Sequence, residues 1–230
     1  MKVDFLKANN GDSILISFQD NEKIKRNILI DGGMPQTYFN SSQNDYGELH
    51  KIIEEIKCKK EKIDLLILTH IDEDHIGGIL KWFELDKEAH QLINKVWFNS
   101  GRTIAKYFNE KENEDLNVYL NLFSSTETSV RQGKTFEDYI DKNNIWDKEI
   151  IKCGKIADFN GVKIEILSPN ELLLEKLLKE HKKLKNNYFT VGKSKDWSTN
   201  IEDFIFEENE NFKFEKDNSV TNGSSIAFLL

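Results

Sequence analysis

The alternation of apolar and polar positions divides the chain into strand-like and helix-like segments. Short β-rich runs occupy residues 3–6, 13–18 and 27–30, separated by turn-forming Asn, Gly and Asp residues, and they predict a β-meander. Helically spaced apolar positions follow over 44–57, and then a continuous apolar strand over 65–68. This succession predicts an α/β layered fold, in which ligands bind beyond the carboxyl ends of the strands.

The rest of the chain contains further elements and two polar stretches. The elements are a helix at 79–93, a strand at 95–98, a hairpin at 156–167 that turns at Asn160-Gly161, an amphipathic helix at 171–185 and a strand-like run at 225–230. Residues 102–150 are charged and mostly helical in pattern, which predicts a helical insertion over the core of one domain spanning 1–230. Residues 186–219 are polar and predict a loop.

Charge and hydropathy limit the classes of partner. The 230 residues include 40 acidic and 32 basic side chains, giving a net charge of −8. The average surface therefore repels polyanions, and contact with nucleic acid would need a local basic patch. No apolar run reaches the length of a signal peptide or the roughly 20 residues of a membrane span. We therefore expect a cytoplasmic protein with no membrane contact.

The residues with the clearest chemistry follow the apolar strand directly. His70, Asp72, Asp74 and His75 place two imidazoles and two carboxylates within six positions, and such groups bind Zn²⁺ or Mn²⁺. His70 and Asp72 are two apart on an extended segment and should point the same way. Asp74 and His75 should lie in the first turn of the next helix, within reach of a second metal. An aspartate that only caps this helix would not explain the two histidines, so the pattern predicts a metal centre.

Three ordered motifs carry a resemblance to a known family. The run from His70 to Gly78 resembles the HxHxDH signature of the metallo-β-lactamase superfamily in its HxDxDHxGG variant. This variant is similar to the β-lactamase-like domain of ComEC-type DNA-uptake proteins and their stand-alone relatives. Residues 10–16 resemble the GQGDAxLI segment of that group, 28–33 its LIDGG segment and, more weakly, 222–228 its NxxS strand. The resemblance implies an αββα sandwich, represented mainly by its N-terminal half and the helical insertion.

The resemblance also implies roles for individual residues. His70 and Asp72 would hold one metal and Asp74 and His75 the other, Asp74 being the candidate catalytic residue, while Asp12, Asp31, Asn222 and Ser224 would line or support the site. For Asp31 and Asp12 a simple turn role stays open, since aspartate is common in turns. Asp72 replaces the usual second histidine and makes the site harder. That replacement shifts the expected preference from zinc alone toward manganese or mixed occupancy.

The chain departs from the family pattern at its C-terminal side. The family completes its two-metal site with a Gly-Asp motif after the NxxS strand and with a further histidine, and neither occurs in these 230 residues. We therefore expect the first part of a longer protein or a truncated relative, catalytically incomplete as it stands. Its last strand, 225–230, would present an edge able to pair with another chain.

The expected chemistry is metal-assisted hydrolysis, in which two divalent ions activate a water. A phosphodiester or nucleic acid is the preferred substrate, because the HxDxDH variant resembles the competence-type domains more than lactam or thioester hydrolases. Two alternatives stay open at this point. One is a non-catalytic binding module of the same fold, and the other is an ester or thioester hydrolase.

Overall fold

The computed structural model describes residues 1–8, 10–110, 136–183 and 220–230. Its strands are β1 (Lys2–Phe5), β2 (Ile14–Gln19), β3 (Lys25–Ile30), β4 (Phe39–Asn40), β5 (Asp45–Tyr46), β6 (Leu65–Ile67), β7 (Val96–Trp97), β8 (Ile156–Phe159), β9 (Val162–Ser168) and β10 (Ala227–Leu229). Its helices are α1 (Glu48–Cys58), α2 (Glu73–Leu85), α3 (Ala89–Leu92), α4 (Gly101–Tyr107), α5 (Phe136–Lys142), α6 (Glu171–Lys183) and α7 (Val220–Gly223), with a 3₁₀ turn at Pro35–Thr37. The predicted polar loop at 186–219 lies outside the described residues, as does the middle of the predicted insertion.

Two sheets form the β layers of the fold. The larger has the strand order β1-β2-β3-β6-β7, and the smaller has the order β10-β9-β8. Strands β1 to β3 pair antiparallel, which confirms the predicted meander, whereas β6 runs parallel to both β3 and β7. Because β3 and β6 are parallel, Asp31 and Thr69, which follow them, emerge at the same edge of the sheet.

Apolar side chains fill both faces of the larger sheet. One core cluster packs α1 and α2 against the sheet and includes Leu49, Ile53, Leu66, Ile79 and Trp82. A second cluster lies between the two sheets and includes Ile28, Leu65, Ile67, Ile164 and Ile166. All three residues of β6 are buried, because a parallel strand in the middle of the sheet is covered on both faces. This layering confirms the predicted α/β fold class.

The predicted helix at 79–93 differs from the observed one at both ends. Helix α2 begins earlier, at Glu73, and ends at Leu85, and the short α3 follows. Asp86 lies at the C-cap in an extended conformation, where its carboxylate accepts hydrogen bonds from Trp82 Nε1 (3.2 Å) and Lys57 Nζ (2.8 Å). An Asp anchored in this way interrupts the helix where the apolar periodicity alone would continue it.

The predicted insertion contributes to the core at its C-terminal end. Phe136 and Ile140 of α5 are buried in the cluster beneath the larger sheet, and Phe136 packs edge-on against Phe98. Buried Asn99 joins the two ends of this region, since its amide donates to Ile151 O (2.7 Å) and accepts from Ile151 N (2.8 Å). None of the helices in the described part of the chain is long and apolar enough to cross a membrane.

A buried polar network supports the start of β3. Asp20 is 5% exposed and accepts hydrogen bonds from Ile24 N and Arg26 Nε, both at 2.9 Å. Burial acts to raise the pKa of Asp20, but these hydrogen bonds outweigh it and hold the pKa below its ordinary value of 3.8. The ionised carboxylate is therefore part of the folded structure.

Candidate metal centre

The end of β6 and the first turn of α2 position the predicted ligands. Asp72 is the N-cap of α2, with φ −66° and ψ 147°, and its backbone carbonyl accepts hydrogen bonds from His75 N and Ile76 N. Its side chain makes no capping hydrogen bond. Asp72 is nevertheless 8% exposed. Helix capping therefore does not account for this buried carboxylate, and Asp74 and His75 lie in the first turn as predicted.

Two pairs of glycines let the loop after β3 lie directly on α2. Gly32 N donates to His75 O (2.7 Å), and Gly78 N donates to Gly33 O (2.8 Å). A Cβ atom added to Gly78 would lie 2.0 Å from Gly32 O, and one added to Gly32 would lie 2.6 Å from Ile79 N. Only glycine permits this approach. The contact brings the end of β3 against the first turn of α2.

Asp31 holds His75 and the motif backbone together. It is 1% exposed and has a left-handed φ of +53°, a conformation that Asp adopts more readily than most residues. Its Oδ1 accepts from Thr69 N (2.8 Å), and its Oδ2 accepts from Thr69 Oγ1 (2.6 Å) and from His75 Nδ1 (2.9 Å). Asp31 therefore contacts two residues of the candidate site, and a turn role alone does not account for these hydrogen bonds.

The Nδ1 atoms of both motif histidines are occupied by polar partners. His70 Nδ1 lies 2.9 Å from Thr69 Oγ1 and 3.2 Å from Ser225 Oγ. Thr69 Oγ1 donates to Asp31, so it accepts the proton of His70 Nδ1. In this assignment each Nδ1 atom carries the proton and each Nε2 atom has a lone pair, which is the tautomer of histidines that bind a metal through Nε2.

Each Nε2 atom faces one of the predicted carboxylates. His70 Nε2 lies 3.7 Å from Asp72 Oδ2, and His75 Nε2 lies 4.0 Å from Asp74 Oδ2. The two imidazole rings are 3.8 Å apart, centre to centre. Each predicted histidine thus lies beside one predicted carboxylate, and the assignment of these four residues as metal ligands stays a prediction.

The tightest cluster of ligand atoms differs from the predicted one. Within the described residues, the group of three or more whose ligand atoms all lie within 4.8 Å of one another consists of Asp31, His70 and His75. Both oxygens of Asp31 already accept hydrogen bonds, and one of these bonds positions His75. Neutral imidazoles beside carboxylates form a donor set that suits Zn²⁺ or Mn²⁺, and the residues therefore fit a divalent metal.

The electrostatics of the site favour a cation. Burial acts to lower the pKa of His75, but the hydrogen bond from Asp31 and the charges of Asp31, Asp74 and Asp12 outweigh it and raise this pKa. Burial raises the pKa of Asp31, against the opposing effect of its contact with His75. Several carboxylates thus surround one imidazole, and a divalent ion would neutralise them.

The remaining residues that the resemblance implied would line or support the site differ in exposure and in their contacts. Asp12 is exposed, but its charge acts on His75, and the neighbouring Gly11 packs on the backbone of Asp74. Asn222 is exposed at the end of α7. Ser224 is buried, and its hydroxyl donates to Val220 O (2.6 Å), so it supports α7 and contacts neither histidine through a hydrogen bond.

Sequence reasoning missed Thr69 and Ser225 as site residues. Thr69 bridges Asp31 and His70, while Ser225 reaches His70 from a segment 155 positions away. Ile226 N also donates to Thr69 O (3.2 Å), which fixes the C-terminal segment beside the motif. Thr69 could have been recognised because it directly precedes His70 in the sequence. Ser225 could have been recognised because it lies in the segment that resembles the NxxS strand.

Comparison with known proteins agrees with this geometry. Residues 8–151 match the family model described as the metallo-beta-lactamase superfamily, and this range covers more than half of the 230 residues. A search of curated proteins gave no match. Members of the superfamily are mostly metal-dependent hydrolases, which typically bind divalent metals, often zinc. The chain belongs to the metallo-beta-lactamase superfamily.

Proposed function

We propose that this protein is a metal-dependent phosphodiesterase or nuclease. The observation that carries the proposal is the orientation of His70 and His75, whose Nδ1 atoms contact Ser225, Thr69 and Asp31 while their Nε2 atoms face carboxylates. A surface histidine has no need of such support. Groups that are held rigidly by a second set of residues are typical of sites that bind a metal.

In this proposal each group has a distinct task. His70, Asp72, Asp74 and His75 are the metal ligands. A bound divalent metal supplies Lewis acidity and an activated water at neutral pH. Asp31 keeps the proton on His75 Nδ1, and Thr69 does the same for His70. These contacts fix the direction of both imidazoles before the metal binds, which reduces the cost of organising the site.

The choice of a phosphodiester rests on the motif variant. Asp72 stands where the HxHxDH signature has a histidine, and the resulting HxDxDHxGG pattern resembles the competence-type domains. An additional carboxylate makes the ligand set harder, and harder sets favour Mn²⁺ beside Zn²⁺. Fold alone does not determine the substrate, so this step depends on the ligand set.

A direct test combines metal content with hydrolysis. Protein purified without chelators and reloaded with Zn²⁺ or Mn²⁺ should retain metal, and a His70→Ala/His75→Ala double variant should lose it. The loaded protein should hydrolyse bis-p-nitrophenyl phosphate and single-stranded DNA, and Asp74→Ala should abolish this activity. Glu73→Ala is the matched control, because it removes the same charge from the same helical turn.

Two results would contradict the proposal. Equal metal content in the wild type and the double variant would show that the motif does not bind metal. Hydrolysis of a lactam or a thioester, without hydrolysis of either phosphodiester, would show that the substrate class is wrong.

A further inference from the structure

A polar pocket lies beside the metal centre on the same helix. It has a volume of about 100 Å³ and is bounded by Gly77, Lys81 and Glu84 of α2, by residues 35–36 and by the segment 39–42. Such a volume holds several water molecules, and therefore a small anionic group. Gly77 is three residues from Asp74 and shares its face of α2, so the pocket follows the predicted ligand along that face.

Lys81 gives this pocket its positive charge. Lysine is rarely buried, yet Lys81 is 8% exposed. Its Nζ atom lies 3.1 Å from Glu84 Oε2 and 6.0 Å from the centre of the Phe39 ring. The side chain of Glu84 is 38% exposed, so its carboxylate stands at the solvent side of the ion pair. An anion that entered the pocket would take the place of this exposed carboxylate.

The segment opposite Lys81 offers neutral hydrogen-bond donors. Gln36, Ser41 and Ser42 line the pocket. Their side-chain amide and hydroxyl groups form no hydrogen bond with any other residue in the part of the chain that the structure describes. An ammonium group accompanied by hydroxyl and amide donors is a combination that binds phosphate oxygens.

Helix geometry relates the pocket to the predicted ligands. Asp74, Gly77 and Lys81 are spaced three and four residues apart, so they share one face of α2. Asp74 and Lys81 are separated by two turns, or about 10 Å along the axis, and helical side chains tilt toward the N-terminus. The ammonium group is thus offset from the metal centre by a distance that a neighbouring group of one substrate molecule spans.

We propose that the Lys81 pocket binds a second, non-scissile phosphate of the substrate, and this inference rests on the function proposed above. The substrate is then an oligonucleotide or another molecule with at least two phosphate groups. Lys81 is a specificity-determining residue, because it contacts the part of the substrate that does not react.

The first test uses inorganic phosphate and metal-free protein, so it does not depend on activity. Protein stripped with chelator is titrated with phosphate, and binding is followed by chemical-shift changes of the amides of Gly77 and Ser42. We expect saturable binding in the wild type, at least tenfold weaker binding in Lys81→Met and tighter binding in Glu84→Gln. Met keeps an unbranched apolar side chain of similar length at this buried position, and unchanged melting temperatures confirm folding.

The second test separates specificity from catalysis. In the metal-loaded protein, Lys81→Met should raise KM for a short single-stranded DNA about tenfold with little change in kcat. The kinetic constants for bis-p-nitrophenyl phosphate, which has one phosphate, should not change. Lys81→Arg keeps the charge and should retain most of the affinity for DNA.

The outcomes distinguish this inference from the proposed function. Phosphate binding that is absent, or that is equal in the wild type and Lys81→Met, overturns the pocket assignment even if the protein hydrolyses phosphodiesters. Equal KM changes for both substrates also overturn it. Phosphate binding that depends on Lys81 in a protein without phosphodiesterase activity would support the anion site and overturn the proposed reaction.

Discussion

Replacement of Asp31 by Asn tests whether second-layer contacts control the metal centre. The Asp31 carboxylate accepts from Thr69 N on one oxygen and from His75 Nδ1 on the other. An asparagine of the same shape has one acceptor and one donor end. If its oxygen faces Thr69 N, its NH₂ group faces His75 Nδ1, and the histidine must move its proton to Nε2. A protonated Nε2 atom cannot bind metal.

The expected loss of metal affinity follows from the hydrogen bond that orients His75. Removing the partner that orients a ligating histidine weakens metal binding by about 10–100-fold, which corresponds to roughly 1.4–2.8 kcal/mol. Affinity for Zn²⁺ and Mn²⁺ is measured by competition with a chromogenic chelator. Long-range ¹H–¹⁵N spectra of the metal-free protein report the tautomer of His75 directly, and should show Nδ1–H in the wild type and Nε2–H in Asp31→Asn.

Asp64→Asn is the matched control for this experiment. Asp64 is also a buried carboxylate, which accepts from Asn27 N (2.9 Å) and Arg26 Nη1 (3.0 Å) away from the site. It should lose stability without losing metal affinity. If Asp31→Asn binds metal within twofold of the wild type and keeps the Nδ1–H tautomer, the assignment of Asp31 as the residue that orients His75 is refuted.

Three further variants test the packing and the polar contacts. Gly78→Ala places a Cβ 2.0 Å from Gly32 O. Overpacking costs about 1–3 kcal/mol and the gain in helix propensity is about 1 kcal/mol, so the unfolding free energy should fall by up to about 2 kcal/mol. Asn99→Ala leaves both backbone groups of buried Ile151 without these partners and should cost about 2–3 kcal/mol by urea denaturation. The pKa of Asp20 is lowered in the folded protein. The ionised Asp20 therefore stabilises the fold fully above pH 3.8, and this stabilisation is lost as the pH falls from 3.8 through the lowered pKa. Over this pH range the difference in unfolding free energy between the wild type and Asp20→Asn should decrease.

For each of these three variants, one result would contradict the prediction. Gly223→Ala controls for the glycine change, because nothing lies within 4 Å of its added Cβ, and equal stabilities of the two alanine variants would contradict the close approach. An Asn99→Ala protein as stable as the wild type would mean that water replaces the amide. A stability difference between the wild type and Asp20→Asn that persists unchanged to pH 2 would show that folding does not lower the pKa of Asp20.

Local patterns in the sequence identified the elements that lie close to the motif. The alternation in β2 and β3, the apolar run of β6 and the glycines after Asp31 were visible because each depends on a few neighbouring residues. The four candidate ligands were also found in this way, since they fall within six positions. The pairing of their Nε2 atoms with carboxylates then follows from the extended segment and the first turn of α2.

Features that depend on distant contacts could not be predicted. Ser225 meets His70 only after the small sheet has packed against the large one, and the likeness to the NxxS strand does not show which residue it contacts. The end of α2 depends on the contact of Asp86 with Lys57, 29 positions away. Lys81 has the appearance of a solvent-facing residue in an amphipathic helix, yet it is 8% exposed, because the chain segment that carries Phe39 lies against this part of α2. The role of Asp31 also stayed open, because its contacts with Thr69 and His75 join positions that are 38 and 44 residues away.

The sequence separations within the metal centre bear on the order in which the protein folds. Asp31 and Thr69 are 38 positions apart, whereas Ser225 and His70 are 155 apart. Closing the longer loop costs about 1.2 kcal/mol more in chain entropy, and contacts between distant segments slow folding. We therefore expect the Ser225 contact to form after the folding transition state. Ser225→Ala should then speed unfolding and leave the folding rate almost unchanged, a difference that the two arms of a chevron plot would display.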